Sequence, residues 1–292
     1  MNLMGIPVIS GGGMDTKRRA YMIETFHPTV VGATPSYALY LGHTMRDMGY
    51  DPQRSSVRLI VTGGEPGACI PATKARIENL WNARLVEFYG CTEASPAAGG
   101  YTCREESEQR ERPMSPHLME DGQIWEALDP LTYERLPVGA RGLSTVTNLT
   151  SEGSPQLRFL IGDYTVLRDE ICVCGRTHLR AEGGFWGRQD DMLKIRGVAV
   201  FPSAVEELLR KVGELGDEFQ IIVSRESEMD VLTVVAEAQP GVSESRYPGI
   251  QAEIRAEIRA KLGVDPVVDL VPPSTLPRTE FKAKRVRDTR HL

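Results

Sequence analysis

The N-terminal half alternates short apolar runs with helical patterns, and this alternation most constrains the fold. Residues 57–62 form an apolar run that ends in Gly63-Gly64. A helix is predicted over 71–82, with Pro71 in its first turn, where the missing N–H costs little. A strand over 85–88 then runs straight into Tyr89-Gly90. Upstream, 7–10 reads as a strand before Gly11, Gly12 and Gly13, 17–26 as a helix, and 29–32 as a second strand. The helix over 36–48 closes at Gly49 and offers Leu39, Leu41 and Met45 to a core. Strands alternating with helices imply an α/β fold with a mostly parallel sheet. Ligands in such sheets sit beyond the carboxyl ends of strands. Residues 63–66 and 89–93 fall at such ends.

From about Gly122 the texture changes to strands and turns, with strands predicted over 123–128, 142–148 and 157–161. This reads as a β subdomain. Asp190-Asp191 then separates it from a distinct C-terminal block. There, Ser203 and Glu206 have capping-box spacing ahead of Val205, Leu208, Leu209 and Val212. Residues 220–224 and 231–238 read as a hairpin. Ile250, Ile254, Ile258 and Leu262 recur every four residues, a one-faced helix stopped by Gly263 and followed by a strand over 267–271. The division is therefore a large domain over 1–187 and a small α+β domain over 188–292.

Composition excludes several classes. Hydrophobic residues make up 41% of the chain, enough for a core, and the formal charge of −6 gives no electrostatic support for nucleic-acid binding. Lys282, Lys284, Arg285, Arg287 and Arg290 stand out against that charge, and on charge alone they read as a solvated C-terminal strand or tail. No apolar run approaches the ~18 residues of a membrane helix, and the N-terminus has no signal-peptide pattern. Five cysteines, an odd number, indicate reduced thiols and a cytoplasmic location.

The candidate site residues are ordinary when taken singly. Tyr89-Gly90-Cys91-Thr92-Glu93 is a strand-to-loop turn, and Asp163 is a turn aspartate after a strand. In sequence order they form a set: Gly63-Gly64-Glu65-Pro66, then Tyr89 to Glu93, then Ile161-Gly162-Asp163, then GRQDDMLKIRGVAVFPSAVE from Gly187, then PRTEFK ending at Lys282. This set resembles the back two thirds of an adenylate-forming acyl-CoA ligase, and the branch it most resembles is that of the phenylacetate–CoA ligases.

The resemblance implies a two-step ligase using ATP, Mg2+ and coenzyme A. Gly63, Gly64, Glu65 and Pro66 would line the adenine, with Tyr89-Gly90 beneath it. An aromatic face suits a purine. Thr92 would contact the α-phosphate and Glu93 would help hold Mg2+, a hard ion that prefers oxygen ligands and bridging phosphates. Asp163 and Arg188 would approach the ribose, and Asp190 would be the pivot about which the small domain turns between half-reactions. Lys282 would bridge the substrate carboxylate and the α-phosphate. The family's usual neighbour there is glycine; here it is Phe281, which lacks glycine's backbone freedom. Tyr37, Gly64 and residues 88–91, Phe88 and Cys91 among them, would line a pocket for a flat, partly aromatic acid.

The chain begins after the point where the family carries its Gly/Ser/Thr-rich phosphate loop. Neither Gly11 to Gly13, Gly63-Gly64 nor Gly99-Gly100 replaces that loop. The expectation is an exposed sheet edge or apolar face, covered by self-association or by a partner chain. Two other readings stand beside the ligase: a non-catalytic nucleotide- or acyl-binding remnant or one subunit of a split ligase, and an adenylyltransferase that does not use coenzyme A.

The cysteines form a second constellation. Cys172-Val173-Cys174 is a tight knuckle, and Cys103 and His117 lie upstream with thirteen residues between them. Three thiolates and an imidazole make a Cys3His zinc set, and members of the resembled branch hold a structural zinc at matching positions. Four protein ligands leave no open position, so the metal would be structural. Buried reduced thiols are the alternative, and His178 is a competing ligand. Cys69 and Cys91 read as buried or pocket-lining thiols.

Overall fold

A computed structural model describes residues 5–65, 67, 69–108, 113–226, 229–278 and 285–290. The first core forms where three helices, α1 (Thr16–Phe26), α2 (Pro35–Asp47) and α3 (Pro71–Trp81), pack with three parallel strands, β1 (Val30–Ala33), β2 (Leu59–Thr62) and β3 (Arg84–Cys91). Leu39, Leu41 and Met45 are buried in it beside Ile60, Ile77 and Leu85. Each helix start has a local reason. Asp15 caps α1 by accepting from the Arg18 amide at 2.8 Å, and Thr34 precedes Pro35 and accepts from the Tyr37 amide at 3.3 Å. Gly42 lets α2 and α3 meet closely: a Cβ there would lie 2.6 Å from Leu80 Cδ2.

The sheet then changes hand. β3 pairs antiparallel with β4 (Ser95–Tyr101), and the order continues through β5 (His117–Leu118), β9 (Arg180–Ala181), β8 (Phe159–Arg168), β7 (Arg141–Asn148) and β6 (Gln123–Leu128). One sheet thus joins the parallel α/β part to the β subdomain, with a short helix, α4 (Arg104–Ser107), between β4 and β5 in the chain. β8 is much longer than the 157–161 expected, so Asp163 sits within a strand and not in a turn after one. Gly162, at φ 86°, supplies the backbone bend before it.

Residues 7–10 are not a strand. Among the described residues β1 is the end of the sheet, and the 7–10 segment finds no ladder beside it. Apolar composition alone does not make a strand without cross-strand partners. Ile6, Val8 and Ile9 stay 44%, 59% and 48% exposed.

The C-terminal domain has its own core, drawn from Leu193 through Leu270. β12 (Leu215–Glu226) and β13 (Met229–Ala238) form the expected hairpin, flanked by parallel β14 (Val267–Val271) and β15 (Val286–Asp288). A small hairpin, β10 (Leu193–Ile195) with β11 (Val198–Val200), leads in, and α5 (Pro202–Lys211) and α6 (Tyr247–Leu262) cover the sheet. Ile250, Ile254 and Ile258 are buried on α6, which ends at Gly263 in the left-handed conformation, φ 71°.

Two expectations fail here for tertiary reasons. The capping box at α5 is absent: the N-cap is Phe201, the Ser203 hydroxyl donates to the Trp186 carbonyl, and Glu206 pairs with Arg210 at 2.9 Å. The basic C-terminal cluster is not simply solvated either. Arg285 lies over the Phe219 ring at 4.2 Å, and Arg290 pairs with Asp288 at 2.6 Å and Asp230 at 3.0 Å.

Candidate functional site

The carboxyl ends of β2 and β3 lie together, as the alternating pattern requires. Gly63 permits this approach, since a Cβ there would lie 2.7 Å from the Phe88 ring and 2.8 Å from its carbonyl. Gly64 turns the chain at φ 85°. Glu65 is engaged at the start of α2, accepting from the Ser36 hydroxyl at 2.9 Å and the Ser36 amide at 3.3 Å. That position suits a carboxylate, because the helix N-terminus carries partial positive charge. Pro66 and Lys282 lie outside the described residues.

β3 carries Tyr89, Gly90 and Cys91 to the turn, where Thr92 and Glu93 are exposed. The Tyr89 hydroxyl donates to the Asp163 carboxylate across the sheet. Burial, then the Asp163 charge, pushes the Tyr89 phenol well above its ordinary range, so it stays a donor. Arg188 approaches Asp163 at 3.7 Å and grips Asp190 with two contacts of 2.8 and 3.1 Å. Backbone bonds hold this turn to β8: Gln189 N donates to Gly162 O at 2.8 Å, and Tyr164 N to Gly187 O at 2.8 Å. Tyr89, Asp163, Arg188 and Asp190 therefore form one connected chain that begins at the end of β3 and finishes where the small domain begins.

Phe185 stacks on Tyr89, with ring centroids 3.5 Å apart and planes at 14°, and Trp125 meets Tyr89 edge-on at 6.1 Å. Sequence reasoning missed both rings. The available signal was Gly183-Gly184 just before Phe185; both glycines adopt positive φ and turn the segment toward the sheet.

The acyl-pocket residues separate. A cavity of about 390 Å³ is lined by Ile9, Gly11, Arg19, Thr34, Tyr37 and Leu41, among others. The Tyr37 hydroxyl accepts from Arg19 at 2.6 Å and donates to Thr16 Oγ at 3.2 Å, and Arg19 also donates to the Gly11 carbonyl at 2.9 Å. Phe88 packs over Gly63, and Cys91 lies at the far end of β3; neither lines this cavity. Burial raises the Cys91 thiol above its ordinary value, which disfavours a reactive thiolate.

The four metal candidates do converge. The donor atoms of Cys103, His117, Cys172 and Cys174 all lie within 4.8 Å of one another. Cys103 Sγ is 3.7 Å from Cys172 Sγ, and Cys174 Sγ is 3.5 Å from His117 Nε2. Tetrahedral zinc with Zn–S ≈ 2.3 Å and Zn–N ≈ 2.0–2.1 Å places such donors about 3.7 and 3.5 Å apart, so the set fits that ion. Burial, helped by Arg176, lowers His117 to about 4, keeping the imidazole neutral and its lone pair available. His178 pairs instead with Asp121 at 3.2 Å, outside the cluster.

The family model "AMP-binding enzyme" matches residues 5–145, and "AMP-binding enzyme C-terminal domain" matches 197–290. The chain belongs to the AMP-binding, adenylate-forming enzymes. Within them it is similar to phenylacetate–CoA ligases: that of Thermus thermophilus is 34% identical over 303 residues, covering 98% of this chain and 66% of the relative. A 2-hydroxyisobutyryl-CoA ligase in its postadenylation state, in complex with R3-HIB-AMP, is 31% identical and superposes with a TM-score of 0.88, covering 97% of this chain and 59% of that one. The same ligase in complex with 2-HIB-AMP and CoA, in its thioesterification state, superposes at only 0.59 over the same 97% of this chain. The chain thus spans about two thirds of the curated relative's length.

Proposed function

We propose that this chain carries out, or supplies most of the site for, ATP-dependent activation of an aryl or arylacetic acid and its transfer to coenzyme A. The observation that carries this reading is the connected chain from Tyr89 through Asp163 and Arg188 to Asp190. It joins a purine-sized aromatic platform, a carboxylate for ribose hydroxyls and the domain junction.

In the first half-reaction a substrate carboxylate oxygen attacks the α-phosphorus of ATP, the α–β bridging bond breaks, and pyrophosphate leaves. Asp163 and Arg188 hold the ribose, Thr92 meets the α-phosphate, and a cationic side chain between the two anions, the role the family resemblance gives Lys282, would remove their repulsion. Glu93 is the carboxylate that would hold Mg2+, whose bound charge neutralises the phosphates. In the second half-reaction the sulfur of coenzyme A attacks the acyl carbon, AMP leaves, and the thiol proton passes to solvent. Asp190 is the pivot that exchanges the groups facing the acyl-adenylate. Cys103, His117, Cys172 and Cys174 would hold zinc in a closed structural site, which suits a protein kept reduced in the cytoplasm. Replacing Asp163 with Asn tests the assignment by lowering AMP affinity at least about tenfold, the effect expected from removing a charge-assisted hydrogen bond; unchanged affinity in a titration would remove the ribose role.

A second reading, in which the chain works with another polypeptide or with a second copy, is favoured by the uncovered Ile6, Val8 and Ile9 near β1, where Val30 is also 43% exposed. Sedimentation of the isolated chain tests the second copy: a dimer supports it, and a monodisperse monomer leaves a different polypeptide as the partner this reading needs.

A further inference from the structure

Among the described residues, Arg76 makes more hydrogen bonds between the two domains than any other side chain. Arg76, on α3, donates to four acceptors of the small domain: the carbonyls of Val212 at 3.3 Å, Leu215 at 3.1 Å and Gly216 at 3.3 Å, and Asp217 Oδ1 at 3.0 Å. The other Asp217 oxygen meets His43 Nε2, from α2, at 2.9 Å. These partners lie 136 to 174 residues apart in sequence, so every one of these contacts crosses the domain boundary.

The receiving segment is the irregular start of β12. The β12–β13 ladder shifts register between Leu215 and Phe219, a bulge that contains Gly216 and Asp217. From inside the small domain, Arg210 donates to the Asp217 carbonyl at 2.9 Å and lies 3.6 Å from its carboxylate, while Arg285 donates to the same carbonyl at 3.3 Å. Asp217 is thus held in place before it meets the large domain. A planar guanidinium can satisfy such a spread of carbonyl and carboxylate acceptors at once, and an ammonium cannot.

We infer that Arg76 is a positioning residue, which with His43 latches the Asp217 end of β12 and holds the small domain in the orientation of the postadenylation state, in which the product of the first half-reaction is held. This rests on the two-step reading given above. The orientation is specific, because this chain superposes on the postadenylation state of a related ligase at 0.88 and on its thioesterification state at 0.59 with equal coverage. Turning the small domain away from α3 breaks all five contacts together. The latch therefore biases a two-state equilibrium, favouring the first half-reaction and opposing the second. None of its residues belongs to the nucleotide, acyl or metal sets.

Spin labels introduced at exposed Glu24 and Glu253, by unnatural amino acids that spare the cysteines, report domain orientation in the full chain. The wild type is expected to give one dominant distance. Arg76→Ala and Asp217→Asn are expected to give a second, and Arg76→Lys an intermediate population. ATP–pyrophosphate exchange is expected to fall about tenfold in Arg76→Ala, within the range of ordinary inter-site coupling, while thioester formation from added acyl-adenylate is undiminished. A distance distribution unchanged in both Arg76→Ala and Asp217→Asn overturns the latch, as does equal loss in both half-reactions. A shifted distribution in a chain whose wild type shows neither half-reaction upholds the latch and counts against the ligase reading of the isolated chain. Asp217→Asn keeps the side-chain volume, so it answers the question even if Arg76→Ala does not fold.

Discussion

Tyr89 cannot receive a purine on the face that Phe185 now covers, because rings 3.5 Å apart leave no gap. The other neighbour, Trp125, presents its edge at 6.1 Å. A purine stacking on that face of Tyr89 must therefore displace Phe185, and apparent affinity is then set by the fraction of molecules in which that ring is away. Phe185→Ala should bind AMP roughly threefold or more tightly by calorimetric titration; weaker binding would make Phe185 part of the platform and not its occupant. The cysteine cluster gives a second residue-scale test. The purified chain should carry one zinc by elemental analysis, and Cys172→Ser with Cys174→Ser should carry none and unfold at lower denaturant, since metal affinity adds directly to folding stability. Zinc-free wild type would end the assignment. Legibility at this scale was uneven. Cys172 and Cys174 were readable from their knuckle spacing, while Cys103 and His117 were joined to them as a Cys3His set supported by the family resemblance, with buried reduced thiols as the alternative; the four donors do converge. Phe185 was not readable, because its role depends on a contact with Tyr89 nearly a hundred positions away.

At the scale of elements, one-faced patterns were the most legible. The α6 stripe and the α2 core residues were readable because burial on a single face imposes a period that no local competitor mimics. Elements governed by partners were not. The 7–10 segment lacks a neighbour, β8 is prolonged by pairing to β7 and β9, and Ser203 takes a tertiary acceptor over a local cap. The Asp217 end of β12 yields a pH test. Desolvation alone would raise this carboxyl, but the His43 hydrogen bond and the charges of Arg210 and Arg76 bring it down to about 2. A depressed folded pKa contributes stability above the unfolded value of about 3.9 that is lost as pH falls through the folded one. The melting temperature of wild type relative to Asp217→Asn should therefore hold steady above about pH 4 and converge as pH approaches about 2, a contribution of roughly 2 kcal/mol. A difference that persists at pH 2 would contradict the pairing. Asp190, gripped by Arg188 at the junction, gives a second element-scale test: Asp190→Pro should impair thioester formation more than adenylation, and equal losses would count against a pivot.

For the whole molecule, a nine-stranded sheet among the described residues carries Tyr89, Asp163 and His117, and a separately cored small domain docks beside it through the Arg76 latch. Among the described residues no helix is long and apolar enough to cross a membrane. The order of motifs along the chain made this architecture legible. What order could not convey was the relative placement of the domains, which is set by side chains such as Arg76 that carry no motif. The central claim is adenylating chemistry at the Tyr89–Asp163–Arg188 site, and ATP–pyrophosphate exchange with a panel of aryl and arylacetic acids tests it most directly. The account predicts exchange stimulated by one class of acid and abolished by Lys282→Ala without loss of ATP binding. Acid-dependent exchange that survives Lys282→Ala, or no exchange from folded, monodisperse chain with any acid, would contradict it.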